Sequence, residues 1–280
     1  MIVLSTGSLY NYGIYRVFGM AAETGYDGIE VLVDGKWDSR DPSYLRSLST
    51  EFKLPITALH SPFVRDVQGW PRDELERLKR TVALAKELDV PVVVSHLPLR
   101  FCGVVGQLHF LGHHRFFLPF PWLRREPYYH FIRAGQLMEL ESSSGVTIGL
   151  ENMPALHLVG FPVNAYWFNR PRELASFPHL TLDTAHLGTW GINPVDVYEQ
   201  LKARIVHIHL SNFDGRDHRS PPDGQLPLAE LLRRLAQSKY KGAISVESAP
   251  DALNAEEEKK CRVALKRALT FCRKHFVVET

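Results

Sequence analysis

Residues 205–210 read Ile205-Val206-His207-Ile208-His209-Leu210. With a strand period of two, Val206, Ile208 and Leu210 share one face and the two histidines share the other. The apolar face needs a cover of helices, so the histidine face turns to the interior. Seven further runs have the same Val- and Ile-rich character: Ile2 to Ser5, Gly28 to Val33, Pro55 to His60, Pro91 to His96, Val146 to Glu151, Leu180 to Asp183 and Ala243 to Glu247. Between and after them lie stretches of helical period: Tyr15 to Thr24, Pro42 to Phe52, Arg72 to Leu88, Tyr128 to Ser143, Arg170 to Ser176, Pro194 to Ala203, Leu226 to Gln237 and Ala255 to His275. In Arg72 to Leu88, the residues Leu75, Leu78, Val82, Leu84, Ala85 and Leu88 form one broad apolar stripe. Alternating strands and helices predict a parallel sheet. Eight of each predict closure into an α/β fold, a single (β/α)8 TIM barrel over residues 1–280. An open doubly wound sheet would carry a Gly-rich phosphate turn after an early strand, and the sequence has none.

The composition fits one soluble domain, with 45% hydrophobic and 23% charged residues. Lys and Arg number 33 against 31 Asp and Glu, too even a balance to imply a nucleic-acid partner. The three cysteines, Cys102, Cys261 and Cys272, have no metal-binding spacing and are too few for a disulfide framework, so a reducing cytoplasm is expected. The N-terminus has no basic leader and no 18-residue uncharged apolar run occurs, so neither secretion nor a membrane span is expected. A homo-oligomer stays open.

One segment breaks the rhythm. Leu97 to Pro127 separates the fourth strand from its helix and holds His109, His113, His114, Phe116, Phe117, Phe120 and Trp122. An insertion this long is functional or disordered, and its aromatic content argues against disorder. It is expected to be a lid over the barrel mouth or a subunit contact, with the lid favoured. A second aromatic insertion, Pro154 to Asn169, follows the fifth strand.

In such a barrel the active site lies at the C-terminal ends of the strands. Strands three to eight end at or near His60, His96, Glu151, Asp183, His209 and Glu247, six potential metal ligands in succession. A lone buried His or Glu is more often a hydrogen-bonded structural group. Carboxylates crowded into one mouth, however, would repel and protonate, and a divalent cation stabilises them as anions. Of the two inward histidines, His209 is nearer the mouth and takes the ligand role, with His207 deeper. His186, three residues past Asp183, can reach the same cleft. The loop from Asp214 to Gly224 offers Asp217 and His218 as further ligands, and Arg216 and His218 for an anionic substrate. Glu30, near the end of strand two, is either a substrate contact or a buried paired carboxylate.

Gly25-Tyr26-Asp27-Gly28-Ile29-Glu30, Leu59-His60-Ser61-Pro62, Val94-Ser95-His96, Leu150-Glu151-Asn152, Leu182-Asp183-Thr184-Ala185-His186, His207-Ile208-His209-Leu210-Ser211-Asn212 and Val246-Glu247-Ser248 together resemble the xylose isomerase-like barrels. These include sugar isomerases, ketose 3-epimerases, inosose-type enzymes and apurinic endonucleases of the endonuclease IV type. The resemblance implies that Glu151, Asp183, His209 and Glu247 hold a divalent metal, with Mn, Zn or Co as candidates. It implies that Glu151 and Glu247 exchange protons beside a chelated carbonyl. The endonuclease branch would add His60, His96, His186 and His218, and Asp217 stands one residue from the spacing of its last acidic ligand. One ion is favoured and up to three are admitted. The opening run Leu4-Ser5-Thr6-Gly7-Ser8 lacks the endonuclease pattern, and His157 stands where ketose 3-epimerases often have a further glutamate. The expectation is a metal-dependent isomerase or epimerase of a sugar, sugar phosphate or polyol-derived ketone, with a small carbohydrate as partner. The alternative is a zinc-dependent apurinic endonuclease or other phosphodiesterase.

Overall fold

A computed structural model describes residues 1–64, 66–108, 114–123, 126–158 and 161–277, with the backbone alone at 102–108, 114–123 and 158. Eight parallel strands close into a barrel: β1 (Ile2–Ser5), β2 (Ile29–Leu32), β3 (Ile56–His60), β4 (Val92–His96), β7 (Thr147–Glu151), β10 (Leu180–Asp183), β11 (Ile205–Leu210) and β12 (Ala243–Val246). The spatial order follows the chain, and β1 pairs with β12 through Ile2↔Ile244 to Leu4↔Val246. The sequence-derived strands all exist, with ends trimmed by at most two residues; Glu247 falls just beyond β12.

The helices pack their apolar stripes on the outer face of the barrel. In α9 (Leu228–Gln237), Leu228, Leu231, Leu232 and Leu235 recur at helical spacing and are at most 1% exposed. Each such leucine contributes about 1.5–3 kcal/mol of burial. Helix α3 (Glu74–Glu87) starts two residues later than its periodicity suggests, because the Asp73 side chain accepts from the Glu76 backbone N–H and fixes the N-cap there. The helix expected over Tyr128 to Ser143 is two helices, α4 (Pro127–Arg133) and α5 (Gln136–Ser144), broken where Gly135 takes φ 75°. A helix not expected from periodicity, α7 (Thr184–Thr189), follows β10 at once and lifts His186 out of what reads as loop.

The long insertion is not structureless. Its backbone forms antiparallel β5 (Phe101–Leu108) and β6 (His114–Leu123), which join β8 (Leu156–Leu158) and β9 (Phe161–Val163) from the second insertion in a four-stranded sheet. His109 and His113 lie outside the described residues. The two insertions leave adjacent strands, since β4 and β7 pair directly, and that adjacency lets them share a sheet. Among the described residues no helix is long and apolar enough to cross a membrane.

Candidate metal centre

Strand period and barrel closure bring the predicted ligands together at the C-terminal ends of the strands. Glu151 ends β7, Asp183 ends β10, His209 is the penultimate residue of β11 and Glu247 follows β12. One ligand atom from each of these four residues lies within 4.8 Å of the others. His209 Nδ1 sits among the carboxylates, 2.8 Å from Glu247 Oε2, 3.1 Å from Glu151 Oε1 and 3.8 Å from Asp183 Oδ2. The opposite ring nitrogen, Nε2, donates to Glu30 Oε1 at 3.1 Å. Glu30 therefore fixes the ring orientation that aims Nδ1 inward, as outer carboxylates do for metal-binding histidines.

Glu30 also accepts from His207 Nε2 at 2.6 Å, and all three residues are fully buried. Of the two roles open to Glu30 from sequence, this geometry is that of a paired carboxylate under the site, away from solvent. His207 occupies the deeper position expected for it.

Four further histidines surround the quartet. His60 Nε2 and His96 Nε2 stand 3.3 and 3.2 Å from Glu151 Oε2, and His186 Nδ1 stands 3.3 Å from Glu151 Oε1. His60 Nδ1 donates to the Ser61 carbonyl at 2.8 Å and its Nε2 to Glu151 Oε2 at 3.3 Å, and Glu151 outweighs burial to raise the imidazole above its usual range. His186 Nδ1 likewise donates to the Asn152 carbonyl at 2.8 Å. His218 bridges outward, with Nε2 3.7 Å from Asp183 Oδ2 and Nδ1 3.6 Å from Asp217 Oδ2. Its loop is tied to the Glu247 strand end, because the Ala249 N–H donates to the His218 carbonyl at 2.7 Å. Arg216 takes another course and forms a paired fork with Asp214, with its side chain 42% exposed.

Two positioning residues escaped sequence reasoning. The Asn152 side chain accepts from the Asp183 N–H at 2.8 Å and donates to the Asp183 carbonyl at 3.0 Å, clamping β10 beside β7. The Ser8 hydroxyl donates to the Val246 carbonyl and accepts from the Ser248 N–H, which brackets Glu247. The signal for Asn152 was its place directly after Glu151. Ser8 sits in a short turn whose hydrogen bonds span more than 230 residues of sequence, which no local pattern announces.

The electrostatics are uneven. Burial pushes the Glu151 and Glu247 carboxyls up, but the facing histidines outweigh it, His209 with His96 and His60 at Glu151 and His209 with His218 at Glu247, and both end below the usual carboxylate range. His209 is pushed down by burial and then well above the imidazole range by Glu247, Glu30 and Glu151. Asp183 is raised to about 8, first by burial and then by Glu151 and Glu247, against the pull of His218 and His209. Asp183 Oδ1 accepts from the His186 N–H at 2.7 Å, while the buried Oδ2 has no hydrogen-bond partner. An orphaned carboxylate oxygen beside two further carboxylates and a histidine nitrogen is the donor set a divalent cation completes. The residues present fit such an ion.

A parallel barrel with mixed His and carboxylate donors at its strand ends defines a class of metal-binding-competent (β/α)8 proteins. The chain matches the family described as Xylose isomerase-like TIM barrel over residues 18–267, and it belongs to that family. An uncharacterized protein of Mycobacterium tuberculosis is 27% identical across 98% of this chain and 97% of its own. Fructoselysine 3-epimerase of Shigella flexneri is 22% identical across 91% of each chain. Among solved structures, 3-keto-D-glucoside 4-epimerase from E. coli superposes with TM-score 0.67 at 16% identity, covering 98% of this chain and 99% of that one. A D-tagatose 3-epimerase-like protein gives TM-score 0.63 at 22% identity, covering 96% and 99%. At these identities the structural likeness is one of fold.

Proposed function

We propose that this protein is a divalent-metal-dependent isomerase or epimerase that moves a proton on the carbon next to a sugar carbonyl. The observation that carries the reading is the convergence of Glu151, Asp183, His209 and Glu247 with one buried carboxylate oxygen unpartnered. These four residues would hold one ion, with Mn, Zn or Co as candidates. Bound there, it would act as a Lewis acid that polarises the carbonyl and acidifies the neighbouring C–H.

The chain's own groups supply the rest. Glu151 and Glu247 enter from strand ends separated by β10 and β11, so they reach a substrate from different sides. A carboxylate on each side lets one take the proton and the other return it to the opposite face. Glu247 is 16% exposed at its side chain and Glu151 1%, so Glu247 meets the substrate first and Glu151 works from the closed side. Glu30 keeps the His209 ring in one orientation throughout. The epimerases among the similar proteins support a carbohydrate substrate. Buried Cys261 and Cys272, free thiols, suit a reducing cytoplasm.

The test is proton exchange at carbon. Protein loaded with Mn or Co, incubated with a panel of ketoses in deuterated water, is expected to place one deuterium next to the carbonyl, read by NMR. Glu247→Gln is expected to lower that rate by about 10²–10⁴-fold. A zinc-loaded protein that exchanges no carbon-bound proton but cleaves an abasic duplex would replace this reading with the phosphodiesterase one. That alternative draws on a further convergence of ligand atoms, Asp183 with His186 and His218, which suits another ion.

A further inference from the structure

Arg100 lies four residues beyond β4 and makes no ion pair or side-chain hydrogen bond among the described residues. Its Nε is buried without an acceptor. The guanidinium carbon sits 4.9 Å from the Trp167 ring centre and 5.5 Å from that of Phe101, contacts that hold the cation but accept none of its protons. A buried donor on a charged group calls for an acceptor.

The surroundings are built to offer one. Arg100, Asn164, Tyr166, Trp167 and Phe168 line a cavity of about 90 Å³ that also touches exposed Arg170 and Glu173. About 10–15 Å³ suffices for one water, so this space takes a group of several heavy atoms. Its walls are stiff: the Arg100 N–H donates to the Ala165 carbonyl at 2.6 Å and the Trp167 N–H to the Pro98 carbonyl at 2.9 Å. Phe168 holds φ 62°, a region a bulky residue rarely occupies. Next to it, the Asn169 side chain bonds Met153 N and O at 2.8 and 2.9 Å, two residues past Glu151. The cavity is thus attached to the strand ends that carry His96 and Glu151.

We propose that the Arg100 cavity is an oxyanion subsite for the phosphate or carboxylate of the substrate, so that the barrel acts on an anionic sugar rather than a neutral one. The flat guanidinium fork, with Nε and its neighbouring nitrogens, matches either group. The substrate assignment rests on the isomerase or epimerase reading of the barrel mouth, whereas the oxyanion site does not.

The experiment has two parts. Binding of inorganic phosphate to the metal-loaded protein is measured by calorimetry for wild type, Arg100→Gln and Arg100→Lys. Arg100→Gln is expected to weaken it at least tenfold and Arg100→Lys less, with metal affinity and melting temperature unchanged. One ketose is then compared in neutral, terminally phosphorylated and terminally carboxylated forms. At least a tenfold higher kcat/KM for one charged form identifies the group, and Arg100→Gln is expected to act mainly on its KM. Equal turnover of all three forms overturns the substrate assignment, and phosphate binding indifferent to Arg100 overturns the site. Arg100-dependent phosphate binding without reaction of any ketose keeps the oxyanion site and removes the isomerase reading.

Discussion

Glu30 and Asp183 are both fully buried carboxylates, and both look at His209, yet they are held in opposite states. Glu30 faces Nε2 at 3.1 Å and has His207 at 2.6 Å as a second donor. Burial pushes its carboxyl up, and the two histidines outweigh that and hold it well below the usual range. Asp183 faces Nδ1 at 3.8 Å and His218 at 3.7 Å, too far for hydrogen bonds, with Glu151 and Glu247 adding like charge; it rises to about 8. Burial is equal, so donor distance and neighbour sign decide the outcome. Glu30 has its countercharge within the protein. Asp183 is left needing one from outside.

That contrast can be broken at either end. The largest expected effect is Asp183→Asn, which removes the unsatisfied ligand. Metal affinity measured by competition with a chelating dye should fall by more than about 100-fold and ketose turnover by about 10³-fold, of the order that loss of essential catalytic groups produces. Retained metal binding would show that Asp183 is not a ligand. Stability should behave in the reverse way. In protein stripped with chelator, Glu30→Gln breaks a buried pair and should cost about 3–5 kcal/mol by urea denaturation, while Asp183→Asn replaces a carboxyl already inclined to hold its proton and should cost far less. Equal costs would remove the distinction. The same Glu30→Gln protein, if folded, should bind metal about 10–100-fold more weakly, since the His209 orienting carboxylate is gone.

Smaller effects sharpen the picture. Asn152→Ala removes an accepted and a donated hydrogen bond at the Asp183 backbone and should cost about 1–3 kcal/mol, with a modest loss of metal affinity. The pH dependence has a definite sign. Asp183, raised to about 8, must release its proton to act as a ligand, so metal affinity should rise with pH, about tenfold per unit for a single proton below that value, and flatten above it. A protonated His209 losing its Nδ1 proton would steepen the slope. Calorimetric titrations in buffers of different ionisation heat count the protons released, and a flat profile from pH 6 to 8 would contradict the assignment.

Much of this was legible in residues 205–210 and the runs like them, because burial, period two and strand-end position are all local properties. Leu180–Asp183 and Ile205–Leu210 appear with the boundaries the sequence suggests. What stayed hidden depends on distant pairing. The role of Glu30 is set by histidines 177 and 179 residues away. Helix α7 begins directly after Asp183 because that side chain accepts from the His186 N–H as its N-cap, a use of the carboxylate its ligand role obscures. The sheet formed by β5, β6, β8 and β9 needs two insertions to meet, and neither alone has a length or pattern that reveals its partner. Arg100 carried no signal, since an arginine in an aromatic loop reads as surface.

The most direct test of the central claim is the position and number of metal ions in crystals of protein purified without chelator, located by anomalous scattering at the metal edge. One ion is expected, coordinated by Glu151, Asp183, His209 Nδ1 and Glu247, with Glu30 still bonded to His209 Nε2. Anomalous density absent from that quartet in metal-soaked crystals, or coordination of His209 through Nε2 with Glu30 displaced, would contradict it.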